Sequence, residues 1–280
     1  MSLETTIADL VTAANNLTSA VNGKMAAIDL KVAQATASVP AAVRAEVVKM
    51  LWVDSSNGSD ANTGTGPAAP LKTLKAALDK TIAGGVSTIY LRRGLVYELG
   101  GEVAQQNQVG GKSIAFLPYG SETARPIIRG VLGIWSGTVY ACSGLMASTR
   151  VTLKFSDIRI ETGLANGKAQ YGVDYGGLIT RAGGDGESVN FEVYFHKCDI
   201  QIQDVPLFTS YYGFMSLSFA NSTVTKGGTQ TKIVNSDLPK LVDITSVGIS
   251  GFGSGSTVDS LFSLNSGGYI SRQANSTVSV

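Results

Sequence analysis

The stretch KCDIQI at residues 197–202 shows the pattern on which the prediction of the fold depends. A small or polar residue comes first, an aliphatic residue predicted to point inward follows, and a polar residue predicted to point outward comes next. The pattern returns in FSDIRI at 155–160, NSTVT at 221–225, SVGIS at 246–250 and NSTVS at 275–279. Aligned on their central aliphatic residues, most copies recur every ~20–30 residues, an interval typical of stacked repeats; these residues are Ile158, Ile200, Val224, Ile249 and Val278.

Strands that recur in this way predict a β-solenoid over residues 51–280. Each coil of a solenoid stacks its aliphatic residues on those of the coil below and cannot bury them alone. The longer step from Ile158 to Ile200 leaves room for an excursion or an extra coil through Leu178-Ile179-Thr180. A β-sandwich, whose strands also recur at regular intervals, is the competing architecture.

The first 50 residues have a different composition, with no aromatic residue and only one of the 33 glycines, Gly23. Their apolar residues alternate at spacings of three and four, which is typical of a coiled coil, with one inserted four-residue step around Gly23 that locally unwinds a supercoil. So narrow an apolar stripe cannot stabilise an isolated helix. We therefore predict an oligomerisation and attachment helix at residues 1–36, although packing on its own domain is an alternative and the spacing does not decide between dimer and trimer. The residues predicted to mediate oligomerisation, called the seam below, are Leu3, Ile7, Leu10, Leu17, Val21, Met25, Ile28 and Val32.

A proline separates this helix from the rest of the chain. Pro40 disfavours helix at the preceding residue and suits the first turn of a new helix. We therefore predict that the first helix ends at Ser38-Val39-Pro40. Residues 37–50 are then a short helical connector, and residues 51–280 form the β-domain.

The charge and the residue counts exclude several classes of function. The formal net charge is +1, so the chain lacks the basic excess typical of a nucleic-acid-binding protein. One histidine rules out any site that needs two imidazoles, and two cysteines are too few for a disulfide framework. The N-terminus has no secretory signal and no stretch is apolar enough to cross a bilayer, so we expect no membrane insertion. We also predict no cofactor and no metal site.

Two aspartates are the candidate catalytic residues. Hydrolysis of a glycosidic bond requires two carboxyl groups facing each other across the substrate. Asp157 and Asp199 each precede a predicted inward aliphatic residue, so the alignment on Ile158 and Ile200 places them at equivalent positions of two coils. The alternative, which we favour, is that each faces solvent or caps a turn.

Two tyrosines are the candidate receptor-binding residues. Tyr211 and Tyr212 lie in the aromatic-rich stretch LFTSYYGF at 207–214. Exposed tyrosines offer a flat apolar face and a polar tip, which suits stacking on a sugar or contact with a protein. Packing against a second copy of the chain is the alternative for the same residues.

The run WVDSSNGSDANTGT at 52–65, followed by PLKTLKAAL, STIYLRRG and ARPIIRG, resembles the entry of right-handed parallel β-helix proteins of the pectate-lyase-like kind. Joined to a coiled coil, the whole chain resembles a bacteriophage tail fibre or tailspike protein. The resemblance implies a homotrimer in the virion, attached to other tail or baseplate proteins through its N-terminal region. It implies a structural protein that binds a bacterial surface receptor (a polysaccharide, a pilus or a protein) and mediates host attachment. The alternative within the resemblance is a depolymerase, a hydrolase or lyase that cleaves the host surface polysaccharide.

Overall fold

A computed structural model describes residues 2–165, 167–168, 176–181, 189–210, 213–236, 239–264 and 268–279. The chain divides into two compact units, residues 1–46 and residues 47–280. The first unit is helical, and the second is mainly β. Within the described residues, no helix is both long enough and apolar enough to span a membrane.

The first unit consists of one long helix, α1, at Leu3–Val47. All eight seam residues are exposed to solvent in the single chain, from 47 % for Val21 to 76 % for Leu3. The helix continues through Pro40, so the predicted break at Ser38-Val39-Pro40 does not occur. A proline removes one backbone hydrogen bond of a helix, and a long helix can retain its other hydrogen bonds on both sides. The predicted connector is therefore the end of α1 followed by the first residues of a strand.

The second unit is built from three sheets that the chain visits in turn. We call one passage through sheets A, B and C a coil. Sheet A contains, in spatial order, β1 Val48–Val53, β2 Val86–Arg92, β5 Ser113–Tyr119, β9 Val151–Ser156, β12 Val189–His196, β15 Gly213–Ala220, β18 Lys240–Thr245 and β20 Gly268–Ala274. Sheet B contains β3 Val96–Glu98, β6 Ile127–Arg129, β10 Arg159–Glu161, β13 Asp199–Ile202, β16 Thr223–Lys226, β19 Gly248–Ser250 and β21 Thr277–Ser279. Sheet C contains β4 Gln106–Gln108, β8 Val139–Ala147, β11 Ile179–Arg181, β14 Phe208–Thr209 and β17 Val234–Asn235.

Neighbouring strands within each of these three sheets are parallel, as expected when each coil lies on the one before it. A strand off this path, β7 at Val131–Ser136, pairs with β8 in the antiparallel direction and forms a hairpin. Two short helices complete the second unit, α2 at Leu74–Asp79 and α3 at Val258–Leu261. The architecture is mainly β with parallel sheets and an N-terminal helix, which is consistent with a parallel β-helix.

The core consists of columns of identical or similar side chains that follow the strand register. In sheet A, Phe116, Phe155, Phe195 and Phe219 are paired in register and buried. Their rings stack at centroid distances of 4.8, 5.2 and 4.8 Å, close to the ~4.8 Å spacing of neighbouring strands. The coils are therefore held together by inward residues that no single coil could bury.

The register of sheet B corrects one step of the sequence alignment. The predicted column of Ile200, Val224, Ile249 and Val278 is confirmed. The partner of Ile200 in the preceding coil is Ile160, two residues beyond the predicted Ile158. Both isoleucines are buried and a shift of two keeps the same face of a strand, so the hydrophobic pattern alone could not separate them.

The long step before Ile200 contains no extra coil. Strand β10 pairs directly with β13, and β9 pairs directly with β12. The stretch Ile179–Arg181 is β11, which belongs to sheet C of the same coil. Of the two alternatives left open by the sequence, the step is thus an excursion within one coil.

Candidate functional site

The candidate site lies on the outer face of sheet B, where short strands follow a sharp turn from sheet A. Five coils make this turn with a left-handed residue, which has a φ between 50° and 56°. The residues are Asp157, Lys197, Asn221, Ser246 and Asn275. Asparagine and aspartate tolerate this conformation better than other non-glycine residues. The turn reverses the side-chain alternation and presents Asp157 outward, ahead of β10.

Asp157 is held between two guanidinium groups. Arg93 donates a hydrogen bond to Oδ2, and Arg125 donates from Nε to Oδ1 at 2.8 Å. Burial opposes ionisation of this carboxyl group, but the hydrogen bonds from Arg125 and Arg93 outweigh it and lower its pKa. The Asp157 carboxylate in turn raises the pKa of Arg125. The carboxylate of Asp157 and the guanidinium of Arg125 therefore each stabilise the charged form of the other.

Arg125 also reaches the second predicted aspartate. Its Nη1 lies 2.5 Å from Oδ2 of Asp199, and Thr223 donates a hydrogen bond to Oδ1 of the same carboxylate at 2.7 Å. The structure thus brings Asp157 and Asp199 together through one guanidinium group. They do not occupy equivalent positions, because Asp199 pairs in register with Arg159 and Asp157 corresponds to Lys197 at the turn. The expected equivalence was wrong because the alignment paired Ile200 with Ile158, whereas its partner in the sheet is Ile160.

A second chain of ion pairs runs beside the first. Glu161, whose side chain is only 9 % exposed, accepts a hydrogen bond from Nε of Arg129 at 2.7 Å, and its Oε1 lies 2.9 Å from Nε of Arg159 in an ion pair. Arg159 also donates to Oε1 of Gln201 at 2.7 Å, and Arg129 lies 3.7 Å from Glu98. Each arginine links side chains from two coils. The polar groups on this face are consequently fixed in position before any ligand arrives.

Three depressions follow these ion pairs along the sheet, and we call them together the sheet B groove. One of about 610 Å³ is lined by the cluster around Asp157, Arg125 and Asp199. A second of about 460 Å³ and a third of about 310 Å³ share Glu98 and Arg129 in their walls. The groove is open rather than enclosed, and its walls carry alternating guanidinium and carboxylate groups.

The charge state of the cluster favours binding over acid–base catalysis. A glycosidic general acid needs a carboxyl group that keeps its proton near neutral pH. The pKa of Asp157 is instead lowered, because its two arginines stabilise the ionised form of the carboxyl group. Among the described residues, no group of three or more histidine, cysteine, aspartate or glutamate side chains is arranged to hold a metal ion. Guanidinium and carboxylate groups fixed in this way are suited to hydrogen bonding with a polar ligand.

The histidine and one of the two cysteines do not line the sheet B groove. Tyr211 and Tyr212 lie outside the described residues, so their predicted role in receptor binding stays a prediction. His196, the single histidine of the chain, is exposed at the end of β12. Cys198 is buried, and its burial raises the pKa of its thiol to about 11, so it is a packing residue.

The polar loop near residue 60 serves the fold. Oδ1 of Asp60 accepts hydrogen bonds from the backbone N–H groups of Lys72 and Thr73, and Oδ2 accepts from the Thr73 hydroxyl. Oγ1 of Thr73 accepts from the backbone N–H of Ala76 and caps α2. These hydrogen bonds fold the loop and start the helix.

Sequence reasoning missed the arginines and Glu161. Their signal lies in two stretches. In ARPIIRG at 124–130 two arginines stand on either side of Pro126-Ile127-Ile128, and in IRIE at 158–161 Arg159 and Glu161 flank Ile160. An alignment on Ile128 and Ile160 places Arg129 and Glu161 in one outward column. Alignment on Ile158 hides this column.

Comparison with known proteins identifies no family. No protein-family model and no curated protein matches the chain. Among solved structures, a GH136 lacto-N-biosidase from Eubacterium ramulus is similar over 82 % of this chain, with 16 % identity and a TM-score of 0.37. The chain spans 40 % of the length of that protein. A rhamnogalacturonan lyase is similar over 73 % of this chain and 74 % of its own, with 13 % identity and a TM-score of 0.28. These values carry no conclusion about activity or substrate.

Proposed function

We propose that the chain is a homotrimeric structural protein of a bacteriophage virion, a tail fibre that mediates attachment to the host cell. The observation that carries the proposal is the exposed apolar seam of α1 in a chain whose second unit is a stack of parallel strands. Eight exposed apolar residues with heptad spacing are unfavourable in water unless other helices cover them. Copies of the same helix meet this requirement because their seams are identical.

The second unit supplies the surface for a receptor. The sheet B groove is lined by side chains whose positions are fixed by ion pairs across coils. Fixed donors and acceptors bind a polar ligand with a smaller loss of conformational entropy. We assign contact with a bacterial surface receptor to this groove. The N-terminal helix then has the role of joining the trimer to other tail or baseplate proteins.

The absence of enzymatic activity is part of the proposal. The two carboxylates that the sequence nominates for catalysis share Arg125, and Asp157 is held ionised. This supports binding without cleavage over the depolymerase alternative.

The first test is the mass of the assembly in solution. The full chain is expected at three times 29.1 kDa by light scattering. Leu17→Asp places a charge in the seam and is expected to reduce the mass to that of one chain, because a buried charge without a partner is strongly unfavourable. Ser19→Asp, on the opposite side of the helix, is the matched control and should leave the mass unchanged. A wild-type chain that is monomeric would contradict the proposal.

The second test asks whether the protein is located at the tail or baseplate of a phage particle. Phage particles released from cells that produce this chain are labelled with an antibody raised against residues 47–280 and imaged by electron microscopy. Label at the tail or baseplate is expected. Particles that carry no label, or cells that retain all of the protein after lysis, would overturn the assignment to a virion.

A further inference from the structure

An apolar patch lies on the outer face of sheet A, across its first three strands. Val48 and Met50 of β1 are 48 % and 54 % exposed, and Val86 of β2, which pairs with Val48, is 52 % exposed. We call this surface the first-coil patch; it comprises Val48, Met50, Trp52, Val86, Tyr90 and Leu117.

The register makes the patch continuous. Trp52 pairs with Tyr90 across β1 and β2, and their rings stack at a centroid distance of 4.7 Å. Leu117 of β5 pairs with Tyr90 and extends the patch to a third strand. These side chains point away from the core, because the residues between them, such as Leu51 and Ile89, are buried. The patch is therefore not part of the core of its own chain.

The same face changes character in later coils. The column of Met50 passes through Thr88 in β2 and Ala115 in β5. It continues with Lys154 in β9, Tyr194 in β12, Ser218 in β15 and Asp243 in β18. Tyr194 is aromatic, but it stands between polar neighbours, and Nζ of Lys154 lies 5.6 Å from the centre of its ring. The outer face of sheet A is thus largely polar in its later coils, whereas at its first end apolar side chains surround the polar Thr88. A concentration of exposed apolar side chains at one end indicates an interface at that end.

From this placement we infer that the first-coil patch is an interface between copies of this chain, an inference that rests on the proposed homotrimer. The sequence position of the patch selects a second copy as its occupant. Strand β1 begins at Val48, the residue directly after α1 ends at Val47. Met50 follows the last helical residue by three positions, and a chain segment of this length spans at most ~10 Å.

Helices in a bundle pack with their axes ~8–10 Å apart. If the seams of α1 assemble in parallel, the first strands of neighbouring copies start at comparable separations. Equivalent patches then come within reach of each other, and covering them removes apolar surface from water.

The test is cross-linking of cysteine variants of the full chain. Met50→Cys and Val86→Cys each place a thiol in the patch, and Thr225→Cys places one on the exposed outer face of sheet B as the matched control. The native cysteines, Cys142 and Cys198, are both buried and have thiol pKa values raised by burial to about 12 and about 11, so wild type serves as the blank. Each protein is treated with a short bis-maleimide at low concentration and run on a denaturing gel, and its mass is measured by light scattering before treatment.

The expected result is an assembled mass for all variants, with covalent dimers in most of the Met50→Cys and Val86→Cys protein and at least tenfold less in Thr225→Cys. An assembled mass without cross-links at either patch position would overturn the interface while leaving the proposed oligomer intact. A monomeric mass for wild type would overturn both.

Discussion

Asp54 is the most connected carboxylate at the start of the β-domain, and it is buried. Its Oδ1 accepts hydrogen bonds from the backbone N–H groups of Ser56 and Asn57, both at 2.9 Å, and its Oδ2 lies 2.9 Å from Nη1 of Arg92. Burial opposes ionisation, but the hydrogen bonds outweigh it and lower the pKa of Asp54. Arg92 continues to Glu122 at 3.0 Å, so one arginine ties the polar loop to a later turn.

The lowered pKa of Asp54 predicts a loss of stability in acid. A carboxyl group whose pKa is lower in the folded state contributes stability above the unfolded value of ~3.9, and this contribution is lost as the pH falls through the folded pKa. Asp54→Asn is expected to reduce the free energy of unfolding by ~2 kcal/mol at pH 7. The variant should also lose less stability than wild type between pH 5 and pH 2, as measured by urea denaturation.

The exposed Asp79 provides the control for this prediction. It forms an i,i+4 ion pair with Lys75 at 2.6 Å on α2, and both side chains are more than half exposed. Asp79→Asn should change the free energy of unfolding by less than ~0.5 kcal/mol. Equal acid sensitivity in Asp54→Asn and wild type would refute the role assigned to Asp54.

At the scale of the element, the turn from sheet A to sheet B decides where the outer side chains of sheet B point. Five coils use a residue with positive φ at this place. Asn221 and Asn275 suit it, whereas Lys197 adopts it at a cost of ~1 kcal/mol, because its Cβ crowds the backbone. The Lys197 side chain is exposed, and its backbone N–H donates to the carbonyl of Ala220.

The positive φ at this turn predicts opposite effects of two substitutions on the free energy of unfolding. Lys197→Gly should raise the free energy of unfolding by up to ~1 kcal/mol, because glycine adopts positive φ without strain. The higher conformational entropy of glycine in the unfolded chain reduces this gain. Asn221→Ala should lower it by ~1 kcal/mol for the opposite reason. Thermal unfolding followed by circular dichroism measures both. A destabilised Lys197→Gly together with an unaffected Asn221→Ala would show that the turn conformation does not limit stability.

At the scale of the whole molecule, stability is shared between neighbouring coils. Phe195 illustrates this, because its ring stacks on Phe155 of the preceding coil and on Phe219 of the next, and it meets Phe208 of sheet C edge-on at 6.3 Å. A stack of coupled repeats unfolds cooperatively when each interface is strong. A cavity at the centre of the phenylalanine column therefore weakens two interfaces at once.

Phe195→Ala is expected to lower the free energy of unfolding by ~4 kcal/mol. Measured in a Trp135→Phe background, which leaves Trp52 as the single tryptophan, the loss should appear equally in circular dichroism of the strands and in the fluorescence of Trp52 on β1 if the coils unfold together. Tyr194→Ala, at the exposed neighbouring position in β12, is the control and should cost less than ~1 kcal/mol. Separate transitions for the two signals would mean that the coils unfold independently.

The order of the amino acids is enough to predict the mainly β character of residues 51–280, the repeat of inward aliphatic residues and the heptad seam of the N-terminal helix. These features are periodic, and a period is visible in one dimension. The break predicted at Pro40 was wrong, because the residues on both sides of the proline continue the helix through their own hydrogen bonds. The groove depends on register, since Ile158 and Ile160 fit the hydrophobic pattern equally well. The stacking of coils selects Ile160 and so places Arg125, Arg129 and Glu161 side by side, because ion pairs between coils join residues about 30 positions apart in sequence.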